Sequence, residues 1–325
     1  MQRSPIEWLQ IPGYSPRSWN NVRGCEKVSP GCAHCYAETF AERFRGVEGH
    51  PYEFGFDFRL APFKLEEPLT VQERCAVFVN SMADLFYGGN KHDKAENPTD
   101  YIRDTCQVML DADWHIYIIL TKRAERMRNL LNGDDEVFRK AAEAAHIWWG
   151  VSVENQKYGL QRLKILQETR ARTRCISFEP LLEDLGEVDL SGIDWGKIGG
   201  ESGVGFRSME KKWVTNLMRQ MREQKVQRHF KQWGGIQKKK AGRELNGRVY
   251  SEYPKIVKEL EGREAPSYKD RTGMIERLRA HVREKWMDHP LIANIPDKMQ
   301  SIYLNGTSAG TRVSLPLFDE DQFDE

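Results

Sequence analysis

Short apolar runs rich in β-branched and aromatic residues recur along the chain, and each closes on polar or charged residues. They are CAVFVN (75–80), HIYIILTKR (115–123), HIWWGVSVEN (146–155), RCISFEP (174–180), WGKIGGESG (195–203) and VQRHFKQWGG (226–235). Their length and composition mark them as strands. Helical spacing occupies NPTDYIRDTCQVMLDA (97–112), QKYGLQRLKILQET (156–169) and MEKKWVTNLMRQMREQ (209–224), with Asn97-Pro98-Thr99 and Ser208 as helix starts. Strands alternating with helices require crossovers and hence a parallel sheet. Near-continuous apolar runs suit strands covered on both faces. With a first strand near Trp19–Val22 the count is about seven. The expected fold class is α/β, a partial or complete parallel (β/α) barrel over residues 1–254. Residues 255–325 hold one amphipathic pattern, 267–286, and an acidic end, and read as a C-terminal helical appendage.

The polar residues cluster at the C-terminal ends of these runs: Asn80-Ser81, Thr121-Lys122-Arg123, Ser152 with Glu154-Asn155, Glu179, Glu201-Ser202, Lys231 and Trp233. Parallel α/β folds assemble their sites at that edge. A loop bearing Cys25, Cys32 and Cys35 follows the expected first strand and so joins the same rim.

Cys25-x6-Cys32-x2-Cys35 supplies three soft ligands, which suit an iron–sulfur cluster or zinc. A closed zinc site wants four ligands, and no second CxxC or HxxxH completes one. His34, between two of the cysteines, is badly placed to join them on one ion. A [4Fe–4S] cluster normally takes four cysteines; three leave an iron open for another molecule. Cys75, Cys106 and Cys175 stand alone in apolar settings and read as small hydrophobes.

The stretches IEW (6–8), WNNVRGCEKVSPGCAHCYAE (19–38), FVNSMADLF (78–86), LTKRAERM (120–127), WGVSVENQ (149–156), SFEPLL (177–182), GGESG (199–203), FKQWGG (230–235) and GRELNGRVYSEYP (242–254) occur in order. Together they resemble an uncharacterised family of phages and bacteria, first named from phage genes. That family lies near the radical S-adenosylmethionine (SAM) superfamily, with a distant similarity to spore photoproduct lyase. The resemblance covers roughly residues 6–254. It implies a radical-SAM type barrel, with a [4Fe–4S] cluster on Cys25, Cys32 and Cys35 whose open iron binds SAM. The chain departs from the usual Cys-x3-Cys-x2-Cys: its first gap is six residues, and His34 takes the aromatic position before the last cysteine.

In barrels of that type the second strand end binds the SAM ammonium, which places Asn80, Ser81 and Asp84 there; a helix N-cap is the plainer role for Ser81 or Asp84. The fourth strand end holds the ribose, which falls to Ser152, Glu154 and Asn155. Gly199 and Gly200 would admit close approach of a ligand, or form a plain turn. Lys122, Glu179 and Glu201 are the expected catalytic groups, although Lys122 and Glu179 could instead form a structural ion pair. Arg123, Lys231 and Trp233 would face the substrate, Trp233 by stacking unless it belongs to the core. The resemblance also implies an electron donor such as flavodoxin or ferredoxin.

Charge narrows the partner. The net charge of +1 excludes a wholly basic nucleic-acid binder, but residues 222–243 carry eight Lys/Arg against one acid, with KKK at 238–240. A basic stretch beside Trp233 is the footprint expected for a nucleic acid or nucleotide substrate, although a solvated charge run is the commoner meaning of such lysines. Residues 319–325, DEDQFDE, read as a solvated acidic tail. No run reaches the roughly 18 apolar residues of a membrane span, and the N-terminus has no signal-peptide core, so a cytoplasmic location without a membrane partner is expected. The expected function is a radical SAM enzyme that abstracts hydrogen from its substrate. The alternative is a zinc-containing nucleic-acid-binding protein without radical chemistry.

Overall fold

The computed structural model describes residues 1–88, 97–237, 240, 242–294 and 303. Seven strands run parallel: β2 (Ser15–Trp19), β3 (Cys75–Val79), β4 (Ile116–Thr121), β5 (Ile147–Ser152), β6 (Thr173–Phe178), β7 (Trp195–Gly199) and β8 (Gln227–Gln232). Their spatial order is their sequence order, and β1 (Gln2–Arg3) adds to the outer edge of β2 in the antiparallel sense. The eight-stranded sheet curls into a half-barrel. Because each crossover advances by one strand in the same direction, every parallel strand ends on one rim.

Alternation along the strands sorts their side chains onto two faces. Val77, Tyr117, Trp149, Ile176, Ile198 and Phe230 join the main core, with Cys106, Met127, Leu163 and Leu217 of the helices. Ala76, Ile118, Trp148, Cys175 and Trp195 form a second core on the concave face. There they meet Trp8, Leu9 and Tyr14, so the N-terminal segment fills the N-terminal half of the concavity. Burial on both faces is why these runs read as apolar without clean alternation. Truncating a fully buried indole such as Trp149 would cost about 3–5 kcal/mol.

The first strand differs from expectation. It spans Ser15–Trp19, whereas Val22–Arg23 leaves the sheet and pairs antiparallel with Arg59–Leu60. Pro16 and Arg17 disguise the true strand. Its edge position explains both, since β1 gives it only two residues of pairing and Arg17 ion-pairs with Glu73 at 3.1 Å.

The predicted helices form as α2 (Thr99–Asp111), α5 (Gln161–Glu168) and α6 (Lys211–Glu223), with a π-helical turn at Gln156–Leu160 leading into α5. Between β4 and β5 stand α3 (Ala124–Leu131) and α4 (Glu136–Glu143), the latter capped by Asp135, which accepts from the amides of Val137 and Phe138. Beyond residue 254, α7 (Tyr268–Lys285) docks on the helical side. Arg279 grips Glu66 at 2.6 and 2.7 Å, and the Trp286 indole donates to Asp104 at 2.8 Å. The acidic end and residues 88–96, apart from Gly88, lie outside the described residues, as do Lys238 and Lys239.

Candidate functional site

The cysteine loop is built outward from the end of β2. Gly24 adopts φ +74°, and a Cβ there would stand 2.2 Å from the Asp57 carbonyl oxygen, so only glycine fits. It bridges to Ala83, beyond β3, while the Cys25 amide donates to the Phe56 carbonyl at 3.2 Å. A 3-10 turn over Pro30–Cys32 brings the chain to Cys35, the N-cap of α1 (Tyr36–Glu42). A Cβ at Gly31 would lie 3.0 Å from the Glu154 side chain. The loop therefore spans the mouth from the end of β3 to the end of β5.

The thiols sit among cations. Arg123 Nη1 donates to Cys25 Sγ at 3.3 Å and to Asp84 Oδ2 at 3.1 Å, and its Nη2 donates to the Glu26 carbonyl at 3.3 Å. The guanidinium lies over the Tyr87 ring at 4.9 Å. Burial pushes the Cys25 thiol up to about 12, against the pull of Arg123. Burial likewise raises Cys35, opposed by the amides of Glu38 and Ala37 and by the charge of Lys122. Lys27, paired with Glu38 at 2.7 Å, feels both Cys35 and Cys32. Cys32 Sγ meets the Ser29 hydroxyl at 3.8 Å.

Among the described residues, no three His, Cys, Asp or Glu side chains converge closely enough to hold one metal ion. The donor set is therefore no preformed single-ion site. All three cysteines are half-buried, and the cations beside Cys25 and Cys35 suit the negative charge of a thiolate-bound group.

The second strand end is mostly engaged with the protein itself. Asp84 accepts from the Thr121 hydroxyl at 2.7 Å, from the amides of Phe86 and Lys122 at 3.0 and 3.1 Å, and from Arg123. Its oxygens hold the end of β4 in place. Ser81 donates to Asn20 at 3.1 Å. Asn80 sits at φ 57° with its Oδ1 on the Val22 amide at 3.2 Å, and its buried Nδ2 has no partner among the described residues.

At the fourth strand end, Glu154 is fully buried. One oxygen accepts from Arg162 at 2.6 Å, and the other, Oε1, has no partner among the described residues. Asn155 caps the π-helical turn through the Tyr158 amide at 2.9 Å, and the Ser152 carbonyl accepts from Arg162 at 3.1 Å.

The structural Lys122–Glu179 pair, the alternative to a catalytic role, does not form. Glu179 holds Lys231 instead and accepts from Gln232 at 3.2 Å, because β8 places Lys231 beside it. Lys122 has no carboxylate within ion-pair distance among the described residues. Glu201 is clasped by Arg207, whose Nε lies 2.9 Å away, and Arg207 also donates to the Pro30 carbonyl at 2.9 Å. The Glu201 carboxyl is held low: burial raises it, but the Arg207 contacts outweigh that.

Gly199 and Gly200 make close approaches to the protein itself. A Cβ at Gly199 would stand 2.7 Å from Glu179, and one at Gly200 only 2.1 Å from the Trp233 carbonyl oxygen. Trp233 is half-buried, packs edge-on to Phe230 at 4.9 Å and donates to the Glu244 carbonyl at 3.0 Å. Phe230 belongs to the helix-side core, so Trp233 leans away from the concavity. Part of the basic stretch is also neutralised: Arg228 pairs with Glu252 at 2.7 Å and Arg243 with Glu7 at 3.3 Å.

The structure thus gathers the cysteine loop, Asn80, Lys122, Arg123, Glu154 and Glu201 at one mouth, with Glu179 and Lys231 below. Sequence reasoning missed Arg162 and Arg207, whose only local signal is helical or loop proximity to an acid, and Lys197, which lies within a strand run. A cleft of about 480 Å³ lined by Tyr14, Arg74, Arg248 and Tyr250 lies at the opposite edge of the strands.

The family model described as Protein of unknown function (DUF5131) matches residues 3–254, and the chain belongs to that family. No curated protein and no solved structure matches it. Among the described residues, no helix is long and apolar enough to cross a membrane.

Proposed function

We propose that this member of the DUF5131 family is a radical SAM enzyme with a barrel of the radical-SAM type, acting on a nucleotide or nucleic acid. The observation that carries the reading is the position of the three-cysteine loop. It follows the first parallel strand and crosses the mouth of a half-barrel beside two buried polar atoms without a partner among the described residues, Asn80 Nδ2 and Glu154 Oε1. Buried polar groups are ordinarily satisfied, so an orphan donor and an orphan acceptor at one mouth suit a polar ligand.

Cys25, Cys32 and Cys35 would hold a [4Fe–4S] cluster and leave one iron for SAM. When bound, a cluster reduced by an external electron donor would supply one-electron cleavage of SAM, with methionine as the leaving group, and so the means to take a hydrogen from the substrate. Arg123 and Lys122 offset the negative charge of the thiolates. Asp84, fully engaged by protein donors, keeps Arg123 on Cys25. Glu154 Oε1 can accept from an ammonium group, and Asn80 Nδ2 can donate to a carboxylate or hydroxyl. The packed floor of Trp8, Trp148 and Trp195 keeps water from below. Glu179, Lys231 and Glu201 face the space where a substrate would enter, and an electron donor such as flavodoxin or ferredoxin would dock outside the loop.

The test is anaerobic reconstitution with iron and sulfide, followed by SAM and dithionite. The reading expects about four irons per chain and release of 5′-deoxyadenosine. Colourless protein with about one zinc per chain would reject it in favour of a zinc-bearing nucleic-acid-binding protein.

A further inference from the structure

The concave face carries a charge that the radical chemistry leaves unused. Lys197 lies in the middle of β7, and its register partners are Ser177 on β6 and His229 on β8. Ser152 pairs in turn with Ser177, so a polar row crosses the concavity between the indole floor and the rim. Lys197 is fully buried, and its Nζ has no hydrogen-bond partner among the described residues. It stands 4.0 Å from the ring centre of Trp195 and 4.7 Å from that of Trp8. Lys231 Nζ lies 5.1 Å from the same Trp8 ring.

Two ammonium groups therefore share one indole, and the carboxylate nearest them, Glu179, is committed to Lys231 and Gln232 and accepts from the Ser177 hydroxyl at 3.5 Å, a contact that is released when the Glu179–Lys231 pair moves. His229 adds no acceptor of charge, since burial first, then Arg243 and the two lysines, depress it to about 3. Burial likewise lowers Lys197 to about 8, with Lys231 adding to the effect and Cys175 and Glu179 opposing it. Indole faces attract an ammonium but accept no hydrogen bond of ordinary strength. What the site lacks is a negatively charged acceptor. An ammonium that can donate in three directions, beside a serine hydroxyl, suits tetrahedral oxygens. A planar carboxylate is better met by the fork of an arginine.

We propose that Lys197, with Ser177 and Lys231 beside it, forms a phosphoryl-binding site within the concave face, where a phosphate group of the substrate is held beneath the cysteine loop. The assignment rests on the reading of that mouth as the substrate site and gives the phosphate of the nucleotide or nucleic-acid substrate a place in the fold. The Glu179–Lys231 pair, one row nearer the mouth, swings aside to admit the group.

The experiment titrates the full-length protein, as purified, with inorganic phosphate at constant ionic strength, with acetate as the control. Binding is read by calorimetry and by the rise in thermal midpoint. Wild type is expected to bind phosphate and ignore acetate, Lys197→Met to bind at least about tenfold more weakly, and Lys197→Arg to retain part of the affinity. Ser177→Ala, which removes only a hydroxyl, is expected to weaken binding about threefold and guards against a misfolded Lys197→Met. Equal affinity in wild type and both Lys197→Met and Ser177→Ala, equal stabilisation by acetate, or no phosphate binding by wild type would overturn the site. Iron uptake and SAM cleavage are scored separately. Phosphate silence in a SAM-cleaving protein removes this site alone, and phosphate binding in a protein that never takes up iron removes the radical reading alone.

Discussion

Arg123 and Cys25, 98 residues apart, are joined by a 3.3 Å hydrogen bond from the guanidinium to the sulfur, and the same Nη1 holds Asp84. All three groups are largely buried. Arg123→Ala would strand the Asp84 carboxylate and is expected to cost about 3–5 kcal/mol of stability in urea unfolding. Adding Asp84→Asn should return part of that loss. Strictly additive losses would show that the two groups are not coupled.

Glu154 separates a structural from a ligand role atom by atom. Glu154→Gln keeps an acceptor for Arg162 but removes the charge an ammonium needs. In reconstituted protein it should weaken SAM binding about tenfold while iron content stays unchanged. Unaltered affinity by calorimetry would leave Glu154 as the anchor of Arg162 only.

Gly200 is required by the fold itself. A Cβ there would meet the Trp233 carbonyl oxygen at 2.1 Å, a backbone group that cannot swing away. Gly200→Ala should therefore cost about 3 kcal/mol in the absence of any ligand. A variant as stable as wild type, with altered SAM affinity alone, would restore the glycine to the ligand.

These contacts show what was legible in the chain. The strands at 75–79, 116–121 and 147–152 were readable because burial on both faces writes continuous apolar runs, and the polar residues closing those runs do share one rim. The partners were not readable. Asp84 was expected to meet an ammonium, but the end of β4 brings Thr121, Lys122 and Arg123 to its oxygens, a pairing set by strand adjacency. Glu179 reads in the sequence as a catalytic group, with an ion pair to Lys122 only as the alternative, and the arrival of β8 gives it Lys231. Lys197 lies in plain view within WGKIGG, yet nothing local distinguishes a lysine set against Trp8, from the N-terminal segment, from a solvated one. Pro16 and Arg17 hid the first strand because an edge tolerates both.

Three histidines make the fold acid-sensitive. His115 accepts from the Cys75 amide at 3.1 Å through Nδ1, so its neutral form is the one bound, and burial lowers it to about 3. Burial also lowers His146 to about 4 and His229 to about 3. In the unfolded chain each titrates near 6.5. Below that pH the unfolded state binds more protons, so stability is full above about 6.5 and falls as the pH drops toward the folded values. The loss should approach about 1.4 kcal/mol per pH unit for each histidine. Urea midpoints between pH 7 and 5 measure it, and His115→Gln should flatten the slope by about a third. A midpoint constant over that range would contradict the neutral buried histidines.

The central claim is a cubane with one iron left to a small sulfonium ligand. Its most direct test is Mössbauer spectroscopy of iron-57 reconstituted protein, kept from oxygen, before and after addition of SAM. The account predicts about four irons per chain, with one iron changing its isomer shift when SAM is added, and loss of the signal in Cys32→Ala and Cys35→Ala. A spectrum without a cubane, or one whose irons are all thiolate-bound and indifferent to SAM, would contradict it.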